Sequence, residues 1–244
     1  IIIGGLGFIG WDDLYRNKFH FRKYLLQTKL VLIALFVLVF GGAGLFWVLE
    51  RQNLMVGMSA SGQILTSLFA SVTARTAGFN TVDPAAMTDG SKLLTLILMF
   101  IGGNPGSTAG GVKTTSVIAL FLYVRSNIDL SYGINAFGRR LEEDAVKRAG
   151  AICTINLTAA LAASILIMAI QPVGMADVLF ETFSAIGTVG MTTGITRSLL
   201  PASRIVIILL MYCGRIGSMS FALAFTQQKR ITHVQNPVET VSIG

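Results

Sequence analysis

Two short loops in this 244-residue sequence have the composition of a site that holds a cation through its backbone. Each loop is centred on a glycine, and a shift of 112 residues places the first loop on the second. An ion that leaves water must exchange its hydration shell for protein oxygens, which backbone carbonyls supply. Glycine lacks a Cβ and therefore adopts the φ values that turn successive carbonyls toward one axis. The predicted ion-coordinating residues are Thr76, Ala77, Gly78 and Phe79, and Thr188, Val189, Gly190 and Met191.

The same shift of 112 residues aligns a second pair of segments. Residues 98–103 fall on residues 210–215, and a partial copy at 2–5 repeats the double glycine 98 residues earlier. Such offsets are typical of a fold built from repeated units. Since all copies run in the same direction, an axis along the membrane normal would relate them. The alternative is that the two loops are ordinary turns outside the membrane, and the repeat argues against it.

A long apolar region, 93–124, is interrupted in its middle. As one straight helix its 32 residues would extend about 48 Å, too far for a simple crossing. Ten central residues cannot form a regular helix, which predicts a movable gate, or alternatively a rigid site of close helix packing. The predicted gate residues are Gly102, Gly103, Asn104, Gly106, Ser107, Thr108, Gly110, Gly111, Lys113 and Arg215.

Two of these gate residues are cationic. Arg215 lies at the centre of another apolar region, 205–225. An arginine there costs about 2.5–3.5 kcal/mol on insertion scales, so it is expected to face a cavity or a partner. Because it repels a cation, it suits a control element; the alternative is a structural salt bridge. Lys113 is expected to anchor the cytoplasmic edge of the broken segment, or to be a snorkelling interface residue.

Three other charged residues lie near the predicted ion path. Arg75 precedes the first loop directly, and a guanidinium pointing into the path would oppose conduction. We therefore expect Arg75 to point away from it and to pair with Glu181. Asp83 follows the loop and could concentrate cations at the mouth, or could be a solvated surface charge. His20 and His233 are isolated and are assigned no role.

The composition excludes most other classes of protein. Apolar residues make up 53% and charged residues only 13%, with a mean hydropathy of +0.69, whereas soluble domains carry about 25% charged residues. The net charge of +7 is dispersed, so no nucleic-acid partner is expected. Glycine patterns at 5–10 and 106–114 lack the context of a dinucleotide or phosphate site. We expect a membrane protein that is not an enzyme and has no cofactor.

The elements that must position the loops follow from the charge-free stretches. Residues 30–49 and 149–176, the latter ending as a helix before Pro172, are long enough to cross a bilayer. The shorter segments 61–74 and 177–186 suit re-entrant helices. Basic residues concentrate in 12–29, 125–148 and the C-terminal tail, which the positive-inside rule makes cytoplasmic. The short helices would then enter from outside.

Four segments resemble one family. Residues 71–83, 100–114, 183–190 and 214–217 resemble, in order, the third filter loop, the broken third-repeat helix, the fourth filter loop and its following helix in the Trk/Ktr/HKT superfamily of potassium transporters. The resemblance is strongest to the Ktr membrane subunit and covers essentially the whole chain. It implies an all-α integral membrane fold of repeated helix–re-entrant pore helix–filter loop–helix units, resembling a potassium channel, with about four spans plus a truncated N-terminal helix end.

The resemblance also implies a division of the chain. Because the sequence does not begin with methionine, we expect a fragment that carries the last two of four repeats. The expected parts are the end of the second-repeat inner helix (1–10), a cytoplasmic linker (11–29), the third pore repeat (30–124), a second linker (125–148), the fourth pore repeat (149–226) and a cytoplasmic tail (227–244).

The function implied by the resemblance is sodium-dependent potassium uptake across the plasma membrane, with K+ as the transported ion and Na+ as the coupled ion. It further implies a homodimer on a cytoplasmic ring of nucleotide-binding regulatory subunits. The choice between the two ions is linked partly to a first filter loop that this sequence lacks. The alternative is an alternating-access carrier with the broken helix as its midplane site, which predicts inverted repeats, whereas these repeats are parallel.

Overall fold

The structure is a computed structural model that describes residues 1–18, 20–129 and 133–217. The described chain is mostly α-helical. Its α-helices are α1 (Ile2–Gly5), α2 (Phe8–Asn17), α3 (Leu26–Phe36), α4 (Gly42–Glu50), α5 (Ala60–Thr73), α6 (Asp89–Phe100), α7 (Thr114–Ile128), α8 (Glu143–Ile170), α9 (Met175–Ile186) and α10 (Pro201–Ile216). Short 3-10 turns occupy Phe21–Lys23, Pro84–Ala86 and Ile195–Arg197.

Two helices in the described ranges are long and apolar enough to cross a bilayer. α3 and α4 are joined by a π turn, Val37–Gly41, into one helix of 25 residues, in which an 18-residue stretch has a mean hydropathy of 2.6. α8 has 28 residues, and an 18-residue stretch of it has a mean hydropathy of 2.1. The first helix contains the predicted span 30–49, and α8 contains residues 149–170 of the charge-free stretch 149–176 and ends before Pro172, as predicted. α8 begins earlier than predicted because Glu143 and Asp144 occupy its first turn, where the helix dipole favours acidic side chains.

Each long helix is followed by a shorter one, then a loop, then a further helix. The shorter helices are α5 and α9, close to the predicted segments 61–74 and 177–186. The Ser59 hydroxyl begins α5 by accepting a hydrogen bond from the Gly62 N–H at 3.2 Å. Helices α6 and α10 follow the two loops. The same order of elements therefore occurs twice, as the sequence repeat predicts.

The π turn brings the first long helix close to α5. A π turn interrupts the regular pattern of helix hydrogen bonds, and the Leu38 carbonyl accepts a hydrogen bond from the Ser71 hydroxyl of α5 at 3.0 Å. A Cβ on Gly42 would lie 2.5 Å from that hydroxyl oxygen, so only glycine fits there. The backbone of the first long helix therefore contacts the Ser71 side chain directly, and this contact fixes α5 and the loop that follows it.

The apolar core joins the two halves of the chain. One cluster lies between α8, α9 and α10 and includes Ile167, Phe183 and Leu210. A second cluster contains residues from both halves, namely Ala74, Leu98 and Met99 with Phe180, Val189 and Met191. Two of its members, Val189 and Met191, belong to the second predicted ion-coordinating loop. The core therefore packs the second loop against Ala74, which lies at the end of α5 just before the first loop.

One feature corrects the all-α expectation. Strands β1 (Asn135–Ala136) and β2 (Arg139–Arg140) form a short antiparallel hairpin within the predicted linker 125–148. Its two turn residues, Phe137 and Gly138, have φ values of +52° and +71°, which suit a two-residue hairpin turn. The sequence signal was weak because phenylalanine rarely takes that position. The predicted cytoplasmic tail, 227–244, lies outside the described residues, as does His233.

Candidate ion-conduction site

The two predicted ion-coordinating loops have the same backbone conformation. Gly78 and Gly190 have φ values of +77° and +88°, the left-handed values expected of the central glycines. Thr76 and Thr188, two residues earlier, are also left-handed, with φ values of +63° and +54°. A β-branched residue at positive φ is an outlier, and such residues cluster at functional sites. Sequence reasoning missed this feature, since threonine gives no signal for it.

Hydrogen bonds from the preceding helix hold the first loop in this shape. The Thr73 carbonyl accepts from the N–H groups of Ala77 and Gly78 at 3.1 and 3.3 Å. The Thr73 hydroxyl donates to the Phe79 carbonyl at 2.6 Å. In the second loop the Val189 N–H donates to the Ser184 carbonyl at 2.9 Å. Both loops are thus continuations of the C-terminal ends of short helices.

The structure brings the two loops into direct contact at their glycines. A Cβ on Gly78 would lie 2.3 Å from the Val189 carbonyl oxygen and 3.4 Å from the Gly190 carbonyl carbon. Residues 112 positions apart in sequence are therefore neighbours in space, main chain against main chain. No side chain at position 78 would fit between the two loops, so their main chains pack directly against each other.

The surroundings of the second loop contain a buried acid. Glu181 is 5% exposed, and its carboxylate accepts hydrogen bonds from the hydroxyls of Thr192 and of Thr196, the latter at 2.7 Å. A cavity of about 960 Å³ extends along this side of the molecule. It is lined by Asp83, Glu181, Thr188, Gly190, Thr192 and Arg215, among others. The cavity thus connects the second loop with Arg215 and with the mouth residue Asp83.

The expected ion pair between Arg75 and Glu181 is wrong. Arg75 Nη2 instead donates to the Gly102 carbonyl at 3.3 Å and to the Thr114 hydroxyl at 3.0 Å. Glu181 binds threonines of its own half instead. The prediction failed because both residues have nearer partners that only the tertiary fold supplies. Sequence reasoning also missed Thr114 as a partner of Arg75. Nothing in the sequence marks Thr114 for this role except that it follows Lys113.

The broken segment is a loop whose two ends, residues 101–103 and 112–114, lie side by side and form a closed neck. Ile101 pairs with Val112 in a parallel bridge, and the Gly102 N–H donates to the Val112 carbonyl at 2.8 Å. The Thr114 N–H donates to the Gly103 carbonyl at 3.1 Å. Residues 101–113 therefore leave the helix between α6 and α7 and return to it, which confirms that this segment is not a regular helix.

Asn104 ties the loop to the N-terminal segment. It is 1% exposed, and its main-chain N–H and its Nδ2 both donate to the Gly5 carbonyl, at 3.1 and 2.7 Å. The Ser107 hydroxyl donates to the Asn104 carbonyl at 2.6 Å. A Cβ on Gly7 would lie 2.4 Å from the Pro105 carbonyl oxygen. The loop is thus packed against main chain on this side.

Two cationic side chains converge on the other side of the loop. Arg215 Nη1 donates to the Thr108 carbonyl at 2.6 Å, and Lys113 Nζ donates to the Ala109 carbonyl. Neither cation pairs with a carboxylate of residues 1–18, 20–129 or 133–217. The structural salt bridge considered for Arg215 is therefore not formed within the described chain. Adjacent carbonyls of the loop bind both cations instead.

The loop also touches the second ion-coordinating loop. A Cβ on Gly110 would lie 2.1 Å from the Thr188 hydroxyl, and a Cβ on Gly111 would lie 3.1 Å from Gly187 Cα. Both contacts require glycine in the broken segment. The structure therefore brings Gly78, Val189 and Gly190 together, and places Thr188 against the broken segment that Lys113 and Arg215 contact. The Phe79 residue is 68% exposed.

Comparison with known proteins places this geometry in a family. The sequence matches the TrkH family, described as a cation transport protein, over residues 12–234. The chain belongs to the TrkH family. It is 36% identical over its whole length to the potassium/sodium uptake protein NtpJ of Enterococcus hirae, of which it covers 55%. It is 34% identical to the Ktr system potassium uptake protein B of Vibrio alginolyticus, of which it covers 54%.

A solved structure shows the same fold. The TrkH-family chain superposes on the potassium transporter TrkH of Vibrio parahaemolyticus with a TM-score of 0.74 and 18% identity, over 92% of this chain and 50% of that one. The chain thus spans about half the length of the relatives that it matches. These comparisons confirm the predicted family, and the relatives are transport proteins rather than enzymes.

Proposed function

We propose that this TrkH-family chain forms half of a potassium-uptake pore. The contact between the backbones of Gly78 and Gly190 carries the proposal, because it joins two loops that share left-handed residues at equivalent positions. The relatives named as potassium or potassium/sodium uptake proteins supply the ion. In this proposal the carbonyls of 76–79 and 188–191 replace the hydration shell of K+, and loops in the rest of the transporter complete the coordination.

The broken segment, 101–113, is the proposed gate. Arg215 and Lys113 hold it by consecutive carbonyls, so that two positive charges lie beside the loop. A passing cation would be repelled by them. Conduction would then require the loop and Arg215 to move together, or the charges to be screened. The glycines at 110 and 111 let the loop rest directly beneath the second filter loop.

The assembly and location of the transporter are also proposals. We place the chain in the plasma membrane with the linkers 11–29 and 125–148 in the cytoplasm, and we expect a homodimer, sodium-dependent uptake and a ring of nucleotide-binding regulatory subunits. The basic residues of the two linkers suit either docking of that ring or anionic lipid.

Rubidium uptake into liposomes that contain the whole transporter tests the filter. Gly78→Ser should lower uptake at least tenfold or remove discrimination between K+ and Na+, since its Cβ would meet the Val189 carbonyl at 2.3 Å. Gly44→Ser is the matched control, because a Cβ on Gly44 meets nothing within 4 Å. Normal rate and normal discrimination in Gly78→Ser would contradict the filter role.

A further inference from the structure

Arg75 lies between the first filter loop and the neck of the gate. It directly precedes Thr76, and its own N–H donates to the Val72 carbonyl at 3.2 Å, so its backbone is fixed to the end of α5. Its side chain is buried, with 8% exposed. A rigid cationic side chain thus leads from the base of one functional loop to the base of another.

The guanidinium completes a triangle of hydrogen bonds at the neck. Arg75 Nη2 donates to the Gly102 carbonyl and to the Thr114 hydroxyl, and the Thr114 hydroxyl donates to the same Gly102 carbonyl at 2.7 Å. Gly102 and Thr114 stand on opposite strands of the neck. The triangle therefore exists only while the neck is closed.

The charge of Arg75 has no partner other than this triangle in the described ranges. No carboxylate of those ranges pairs with it, and its Nε is buried without an acceptor. Burial of a cation without a counter-charge is costly, so the hydrogen bonds at the neck are the main compensation. Opening the neck would leave the guanidinium unsatisfied unless Arg75, and Thr76 with it, also moved.

The second filter loop has a different contact at the equivalent position. The shift of 112 residues places Arg75 on Gly187. Gly187 packs against Gly111 of the same neck, and a Cβ on Gly187 would lie 2.7 Å from the Met99 carbonyl oxygen. The residue before each filter threonine therefore contacts the gate, through a charged side chain in one half and through close backbone packing in the other.

We propose that Arg75 is a positioning residue that couples the first filter loop to the closed state of the gate. This inference rests on the proposed pore function. Because the Arg75 backbone directly precedes the first filter loop and its side chain binds the neck of the gate, filter shape and gate position change together. Loss of the triangle should loosen the gate and relax ion selectivity in the same step.

A cysteine reporter in the gate measures that coupling. Ser107→Cys is introduced into the whole transporter with its other cysteines, including Cys153 and Cys213, replaced by serine. The half-buried position 107 should react slowly with a thiol reagent while the gate is closed. Arg75→Gln and Thr114→Val should each raise the reaction rate at least fivefold and lower the ratio of rubidium to sodium uptake. Thr115→Val is the matched control, since the Thr115 side chain makes no hydrogen bond to the described residues.

A double-mutant cycle decides the result. If both side chains act through one triangle, the double variant with Arg75→Gln and Thr114→Val should react with the thiol reagent less than twice as fast as the faster of the two single variants. The coupling would be overturned if the double variant showed the product of the two single effects. It would also be overturned if the substitutions altered the ratio of rubidium to sodium uptake but left the reaction rate of the cysteine at position 107 unchanged. Should Arg75→Gln fail to fold, Thr114→Val and Arg75→Lys still test it, as both keep the buried charge and disturb the triangle. A parent transporter without rubidium uptake would instead overturn the proposed function, and this inference with it.

Discussion

At the scale of single residues, the cations that contact the broken segment, 101–113, bind main-chain carbonyls rather than acids. Arg75, Lys113 and Arg215 each donate to a carbonyl of the broken segment. Hydrogen bonds from charged groups are worth about 1.5–3 kcal/mol each. They restrict the movement of a segment less than a well-formed buried ion pair does. Such contacts hold the segment while leaving it free to exchange partners, as a gate requires.

Arg215→Ala should raise ion flux. The substitution removes both the hydrogen bond to the Thr108 carbonyl and a positive charge beside the gate. A loss of about 1.5–3 kcal/mol from the closed state corresponds to roughly a 10–100-fold shift of the gating equilibrium. Initial rates of rubidium uptake by the whole transporter measure the effect.

Arg215→Lys provides the control, because it keeps the charge but shortens and narrows the donor group. Its uptake rate should fall between those of the parent and Arg215→Ala. Unchanged uptake kinetics in Arg215→Ala would count against a gating role for this residue.

At the scale of elements, the linker before the first long helix is held by a buried acid. Asp13 of α2 is 5% exposed and accepts from the Leu25 N–H at 2.8 Å and from Asn17 Nδ2 at 2.7 Å. Leu25 is the residue before α3, so this carboxylate caps the start of the long helix. Burial alone would raise the pKa of Asp13, but the Thr28 hydroxyl, the hydrogen bonds from Leu25 and Asn17 and the positive charge of Arg139 together lower the pKa below its ordinary value.

Asp13→Asn should destabilise the protein at neutral pH by about 1–3 kcal/mol, since it weakens the hydrogen bonds to a charged acceptor. A carboxylate with a lowered pKa stabilises the fold above its unfolded-state pKa, and that contribution disappears as pH falls through the folded-state pKa. The difference between parent and variant should therefore shrink below about pH 4. Thermal unfolding of the detergent-solubilised protein at several pH values measures it.

Asp12→Asn is the control for this experiment, because Asp12 pairs with Arg16 on the surface, where its side chain is 59% exposed. Its effect should stay near zero at every pH, as expected for a surface ion pair. An equal effect of the two substitutions would show that Asp13 does not cap α3.

At the scale of the whole molecule, the sequence predicted local features well and long-range contacts poorly. The two glycine loops, the short helices and the interruption of 93–124 follow from composition and spacing, because glycine and proline act on their own stretch of backbone. The early start of α8 was missed because charged residues also begin helices. The partners of Arg75 and Glu181 depend on how distant segments meet, which no local pattern encodes. The roles of the loops in conduction stay predictions.

Thermal unfolding of the whole solubilised transporter shows whether the adjoining glycine loops bind potassium. A ligand that binds only the folded state at 100 times its Kd stabilises that state by about 2.7 kcal/mol. Saturating potassium should therefore raise the midpoint temperature of unfolding above the value measured in N-methylglucamine at equal ionic strength. Gly78→Ser should lose this shift and Gly44→Ser should keep it. Equal unfolding midpoints in the two salts, or a potassium-dependent rise of the midpoint in Gly78→Ser as large as in the parent, would show that these loops do not bind potassium.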